Sequence, residues 1–266
     1  MPAPESNLLV WIVGFTLLGA VLSMAAGAVY LLLPEQWRQK TVAHLISLAT
    51  GTLLTVAFLD LLPEAIAHAK FGQRSEIFAT VLGGILLFFL LEKALIWRHA
   101  HGVDSHGHVH AHGHHHGLRN AGPLVMIGDT FHNFLDGILL TATFVADPSL
   151  GVVTAVAIIA HEIPQEVGDF AIMLASGFSR LKTFLLNAVS SLAMVAGALL
   201  AWWRIDLLHD HLSFILAFTA SSFLYIAIAD LIPSLHRGVT FRETAAQLFW
   251  IGLGVLMVVS LPHAPH

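Results

Sequence analysis

Leu8–Leu33 reads LLVWIVGFTLLGAVLSMAAGAVYLLL and contains no charged residue. Coiled as an α-helix at about 1.5 Å per residue, it is longer than the roughly 30 Å hydrocarbon core of a bilayer. Met1–Asn7 carries no basic residue, and the apolar run exceeds that of a cleavable leader. The stretch is therefore expected to be a first membrane span. The same reading, roughly 20 mostly apolar residues per span, finds seven more, at about 41–62, 76–97, 123–146, 150–175, 181–203, 212–233 and 245–261. The expected fold is all-α, a polytopic membrane protein of eight transmembrane helices in one domain over residues 1–266. Residues 98–121 form a histidine-rich loop within it.

Composition points the same way. Of 266 residues 56% are hydrophobic and 11% charged, against about 25% charged in soluble domains. Mean hydropathy is +0.78. The absence of cysteine excludes disulfides, thiolate ligands and iron–sulfur clusters. The net charge of -5 is mild and the basic residues form no patch, so nucleic acid is not an expected partner. The eighteen histidines are the outlier.

Lysine and arginine set the expected orientation. With both termini outside, the inner loops hold Arg38, Lys40, Lys93, Arg98, Arg119, Arg180, Lys182, Arg237 and Arg242. The outer loops hold Lys70, Arg74 and Arg204. The positive-inside rule favours that arrangement, with the long third loop in the cytoplasm. One segment also recurs. Asp60-Leu61-Leu62-Pro63 in the second span returns 170 residues later as Asp230-Leu231-Ile232-Pro233 in the seventh, and Ala57 and Ala227 precede them equally. The two spans run in opposite directions, as in an inverted repeat. The expected repeat relates spans one to three with spans six to eight, leaving four and five as a central pair.

That pair carries the chemistry. Span four reads Asp129-Thr130-Phe131-His132-Asn133-Phe134-Leu135-Asp136-Gly137, and span five His161-Glu162-Ile163-Pro164-Gln165-Glu166-Val167-Gly168-Asp169. Asp129, His132, Asn133 and Asp136 share one helical stripe, at i, i+3, i+4 and i+7. His161, Gln165 and Asp169 form another, with Glu162 and Glu166 beside it. Each acid at mid-membrane costs about 2.5–3.5 kcal/mol on the insertion scale, and neither span holds a lysine or arginine. A bound dication would neutralise two carboxylates. Histidine plus carboxylate without thiolate suits zinc, iron(II) or manganese. Pro164 removes a backbone hydrogen bond, so a kink beside His161 with a freed Ala160 carbonyl is expected. Gly137 and Gly168 would permit close helix approach.

The residues alone leave alternatives. Buried acids also suit a proton relay. His161-Glu162-Ile163-Pro164-Gln165 approaches the zincin pattern H-E-x-x-H, but glutamine stands at the second ligand position and a proline interrupts the helix. A structural role for the acids, with hydrogen bonds satisfying them, is the third.

His132-Asn133-Phe134-Leu135-Asp136-Gly137 matches H-N-F-x-D-G, and His161–Asp169 is close to H-E-[IV]-P-H-E-V-G-D. With these two motifs on consecutive spans, the chain resembles the ZIP (Zrt-, Irt-like) family of metal transporters. The resemblance implies zinc as transported substrate, with Fe²⁺, Mn²⁺ or Cd²⁺ as further candidates, entering the cytosol through a binuclear site. It implies ligands at His132, Asn133, Asp136, His161, Glu162 and the Gln165 position, with Glu166 beside them. Gln165 departs from the histidine usual in animal members of this branch. An amide oxygen is the harder and weaker ligand, so a metal position using it is expected to hold zinc less tightly.

Secondary expectations complete the reading. Asp129 and Asp169 are candidates for additional metal contacts. Asp60 and Glu64, near His68, are candidates for an outer entrance, and Asp230 and His44 for an inner exit. Asn187, Ser190 and Ser191 are expected to supply a further ligand or to bridge helices. In the third loop His106, His108, His110, His112, His114, His115 and His116 form a metal-binding tract, expected to capture or sense ions leaving the pore. Expected partners are divalent metal ions and the lipid bilayer, with a homodimer as one assembly to test. The expected location is a cell (inner) membrane, and no enzymatic reaction is expected.

Overall fold

The computed structural model describes residues 5–32, 34–100, 121–236 and 240–261. Among them there is no strand. The elements are α1 (Glu5–Leu32), α2 (Glu35–Thr55), π1 (Val56–Leu61), α3 (Leu62–Ala67), α4 (Arg74–Ala100), α5 (Ala121–Ala146), α6 (Pro148–Ala175), α7 (Arg180–Trp203), α8 (Ile205–Asp210), α9 (Leu212–Tyr225), π2 (Ile226–Leu231), α10 (Ile232–Leu235) and α11 (Phe241–Val259). The run α2–π1–α3 is one continuous rod, as is α9–π2–α10. Eight long rods result among the described residues. Seven are long and apolar enough to cross a membrane. The other, α5, is 26 residues long and carries Asp129, His132, Asn133 and Asp136. The fold is thus all-α and polytopic, with seven spans meeting the apolar criterion where eight were expected.

Two span ends differ from the reading of apolar runs. The second rod reaches from Glu35 to Ala67, and the last begins at Phe241 where the apolar run suggested 245. Its first turn is polar and held by a capping box. The Thr240 hydroxyl accepts from the Glu243 amide at 3.2 Å, and the Glu243 carboxylate accepts from the Thr240 amide at 3.1 Å. Hydropathy does not register such a start.

The recurring tetrapeptide is a recurring structure. Pro63 lacks an amide hydrogen and crowds the preceding turn, and the helix widens into π1 just before it. Leu62 N–H reaches back to Ala57 C=O, an i to i−5 bond. Ile232 N–H does the same to Ala227 C=O ahead of Pro233. The two alanines of the echo are therefore the two acceptors. By contrast, α6 runs through Pro164 as one α-helix from Pro148 to Ala175.

Packing partners exchange as an inverted repeat requires. α2 packs on α11 and its counterpart α9 on α4; α1 packs on α6 and its counterpart α7 on α5. The contact points keep the 170-residue register. Gly51 and Gly254 let the backbones of α2 and α11 meet, and a Cβ at either would run into the opposing chain. Ser221 and Gly84, which stand 170 residues from them in the opposite order, make the α9–α4 crossing. Gly27 lies against Phe170, and Gly197 against the backbone of Phe134.

Burial sorts the rods into two layers. About two-thirds (67%) of the spans at Thr41–Ala67 and Pro148–Leu174 is buried, against 11% at Phe241–Val259. α1, α4, α7 and α11 instead show rows of exposed leucine, valine and phenylalanine, such as Val21, Leu82, Leu185 and Leu256. These rods form the apolar outer ring, suited to lipid. α5 and α6, joined only through Asp147, fold back on one another. Asp147 caps α6 by accepting the Ser149 and Leu150 amides at 2.8 and 3.2 Å. Gly72 and Gly177 take φ of +89° in connecting turns, a conformation that favours glycine.

Candidate metal centre

The antiparallel α5–α6 pair brings its two polar stripes face to face. His132 and Asp136, one turn apart on α5, meet His161 and Glu162 on α6. One ligand atom from each lies within 4.8 Å of the other three. His132 Nε2 is 3.1 Å from His161 Nε2, 3.6 Å from Asp136 Oδ2 and 3.5 Å from Glu162 Oε1. His161 Nε2 is 3.2 Å from Asp136 Oδ2 and 3.8 Å from Glu162 Oε1. Four ligands at zinc's bond lengths around a tetrahedral ion stand about 3.3–3.5 Å apart. The five separations that involve a histidine nitrogen, 3.1–3.8 Å, bracket that value.

Hydrogen bonding orients the donors. His161 Nδ1 lies 3.0 Å from the Ala157 carbonyl. A carbonyl only accepts, so Nδ1 donates and Nε2 is the ring nitrogen left to face the centre, as in metal-binding histidines. Phe223 from α9 packs edge-on to the His161 ring at 5.9 Å, closing that side with an apolar wall. Asp136 is fully buried and Glu162 is 1% exposed. Neither oxygen of either carboxylate accepts a hydrogen bond. Asp136 Oδ2 lies 3.2 Å from His161 Nε2. Four orphaned carboxylate oxygens beside two imidazole nitrogens fit a dication.

The family model described as ZIP Zinc transporter matches residues 98–261, both motifs included. The chain belongs to the ZIP zinc transporter family. It is 30% identical over 91% of its length to zinc transporter ZIP13 of Pongo abelii, spanning 70% of that protein. It is 36% identical to zinc transporter zipt-7.2 of Caenorhabditis elegans over 51% of its length, spanning 30% of the relative. With zinc transporter ZIP10 of Danio rerio the figures are 38% identity, 54% of this chain and 18% of the relative. As a ZIP family member with multiple apolar spans, the chain is a multi-pass membrane protein.

Other residues implied by the family resemblance stand beside this group. Asn133 is fully buried, and its Nδ2 donates to Asp129 Oδ1 at 3.0 Å. Gln165 Nε2 donates to the same oxygen at 3.3 Å. Both amides thus present their NH₂ groups to Asp129. Glu166 is buried and accepts the Ser191 hydroxyl from α7 at 2.9 Å, while Ser190 pairs with Thr130 at 3.0 Å. Asn187 donates to the Thr183 carbonyl within its own helix. These serines bridge helices.

The outlying candidates are not among the four converging ligands. Asp60 is buried in π1. Glu64 and His68 pair at 3.2 Å beyond it. His44 stacks on Trp250, ring centroids 5.4 Å apart. Asp230 is exposed in π2. The tract His106, His108, His110, His112, His114, His115 and His116 lies outside the described residues. Gly137 makes the close approach expected of it, against Met194 and Ala198 of α7, whereas nothing lies within 4 Å of a Cβ placed on Gly168. The sequence reading did not single out Phe223, the Ala157 carbonyl, or the Tyr225 hydroxyl that donates to Glu92. An apolar residue and a main-chain oxygen carry no motif.

Proposed function

We propose that this protein carries divalent transition-metal ions, zinc foremost, across a cell membrane into the cytosol, and that the ion binds between His132, Asp136, His161 and Glu162. The observation that carries the reading is the convergence, within 4.8 Å of one another, of two imidazole nitrogens and two carboxylates that accept no hydrogen bond. The distribution of lysine and arginine supports termini outside the cytoplasm, and hence a cytosolic third loop whose histidines capture ions as they leave. Asn133, Gln165 and Glu166 supply the second half of a binuclear site once the Asn133 and Gln165 amides turn. Asp60 and Glu64 stand at the entrance, Asp230 and His44 at the exit. The whole of residues 1–266 acts as one transport domain.

The zincin reading is disfavoured by one contact: Gln165 donates to Asp129, so the second zinc-ligand position of H-E-x-x-H is turned away from His161. Zinc flux into proteoliposomes containing a zinc-sensitive dye tests the transport reading. Wild-type flux that disappears in both His132→Ala and Glu162→Ala, with folding retained, is the expected result. Absence of flux for zinc, iron, manganese and cadmium under any gradient overturns it.

A further inference from the structure

Where α3 turns into α4, the two rods enclose a groove of about 1130 Å³. That exceeds the roughly 300–1,000 Å³ of a pocket for a drug-sized ligand. Its walls are apolar, with Phe58, Leu62 and Ile66 from the second rod and Phe78 from α4. Phe58 and Phe78 are each 55% exposed, so the groove opens on the apolar outer ring, where acyl chains lie.

Two cations stand where the chain turns. Lys70 and Arg74 both line the groove and are exposed. Neither forms an ion pair among the described residues. Glu64, the acid of α3, is turned to His68 at 3.2 Å and does not line the groove. Glu76 follows Arg74 by two residues, a spacing that sets it on another face of α4. The turn that presents Lys70 is tied at both ends. Gln73 N–H donates to the Lys70 carbonyl at 3.0 Å, and Lys70 N–H donates to Gln73 Oε1 at 3.0 Å. Gly72 takes φ of +89° between them, as the third residue of a type II turn requires. Phe71 at the tip is wholly exposed, an apolar ring suited to the boundary between headgroups and chains.

A free phosphate would use the two charges and leave the apolar walls empty. A neutral lipid would use the walls and leave the charges unanswered. A lipid with an anionic headgroup uses both. We infer that this groove is a binding site for one anionic phospholipid, with an acyl chain along Phe58, Leu62, Ile66 and Phe78 and the phosphate at Lys70 and Arg74. Basic pockets between membrane helices take lipid headgroups in this way, each lysine or arginine contributing about fivefold to affinity. The inference rests on the chain's place in a membrane and not on the transport reading.

The full chain, purified in non-ionic detergent, is titrated with dioleoyl phosphatidylglycerol, and the retained copies are counted by native mass spectrometry. The expected result is one copy held more tightly than those that follow. Its affinity should fall about fivefold in Lys70→Gln and in Arg74→Gln, and about 30-fold in the pair. Dioleoyl phosphatidylcholine, with the same chains, should bind the wild type no better than phosphatidylglycerol binds the pair. Ala67→Trp fills the groove while leaving both cations, and should also weaken retention. Arg180→Gln, an exposed cation on another loop, should not. Equal retention of the two lipids overturns the inference, as does phosphatidylglycerol binding indifferent to Lys70→Gln and Arg74→Gln. Inorganic phosphate that displaces the first copy, with Ala67→Trp without effect, would mark an anion site alone and equally overturn it.

Discussion

His132 and His161 face each other Nε2 to Nε2 at 3.1 Å, one from each helix of the central hairpin. His161 Nδ1 lies 3.0 Å from the Ala157 carbonyl, so Nε2 is the ring nitrogen that faces the centre. Asp136 and Glu162 add carboxylate oxygens within 3.8 Å of these nitrogens. Most of the centre's cost, two buried acids without donors, is present before the ion arrives. Removing one ligand therefore leaves the remaining charges stranded as well as weakening the site. His132→Ala, His161→Ala and Asp136→Asn are each expected to lower zinc affinity about 100-fold or more, since even supporting partners of metal ligands are worth 10–100-fold. Zinc titration of the purified variants measures this, and an affinity unchanged in all three would remove the centre from consideration.

Binding to the folded state alone stabilises it. Zinc at about 100 times its dissociation constant adds about 2.7 kcal/mol. The thermal midpoint of the wild-type protein in detergent should rise accordingly. In His132→Ala/His161→Ala the rise should vanish.

Gln165→His puts an imidazole where the amide now donates to Asp129. One ring nitrogen can keep that hydrogen bond while the other faces the centre. Zinc binding is expected to tighten about tenfold, and the ratio of zinc to manganese transport to rise with it. Competitive flux assays with both ions provide the measurement; an unaltered ratio would show that residue 165 does not touch the ion.

Two glycines separate helix contact from helix composition. At Gly197 a Cβ would collide with the Phe134 carbonyl, whereas at Gly168 it would meet nothing. Gly197→Ala should cost about 1–3 kcal/mol by overpacking, lowering resistance to denaturing detergent. Gly168→Ala should leave that resistance unchanged or improved.

Much of this was legible in one dimension. Apolar length alone announces the spans, because a bilayer admits only backbones whose hydrogen bonds close within the segment. Helical periodicity placed Asp129, His132, Asn133 and Asp136 on one stripe. The echo at Asp60 and Asp230 disclosed a repeat whose register Gly84 and Gly254 share. Boundaries were less legible where polar turns extend a helix, as at Thr240 and Glu35.

What the sequence by itself determined is which residues could never face lipid: acids without a cation on their own helices must turn inward and find each other or an ion. Which of them meet was decided only in three dimensions. Periodicity states a residue's face but not the rotation of its helix against a neighbour. The backbone contact of Gly137 with Met194 and Ala198 presses α5 onto α7, and the α5–α6 hairpin brings His132 onto His161. The same packing leaves Asn133 and Gln165 turned to Asp129. Spacing makes Gly168 and Gly137 look alike, yet only Gly137 has a backbone against it, since close approach depends on the partner surface and not on the glycine.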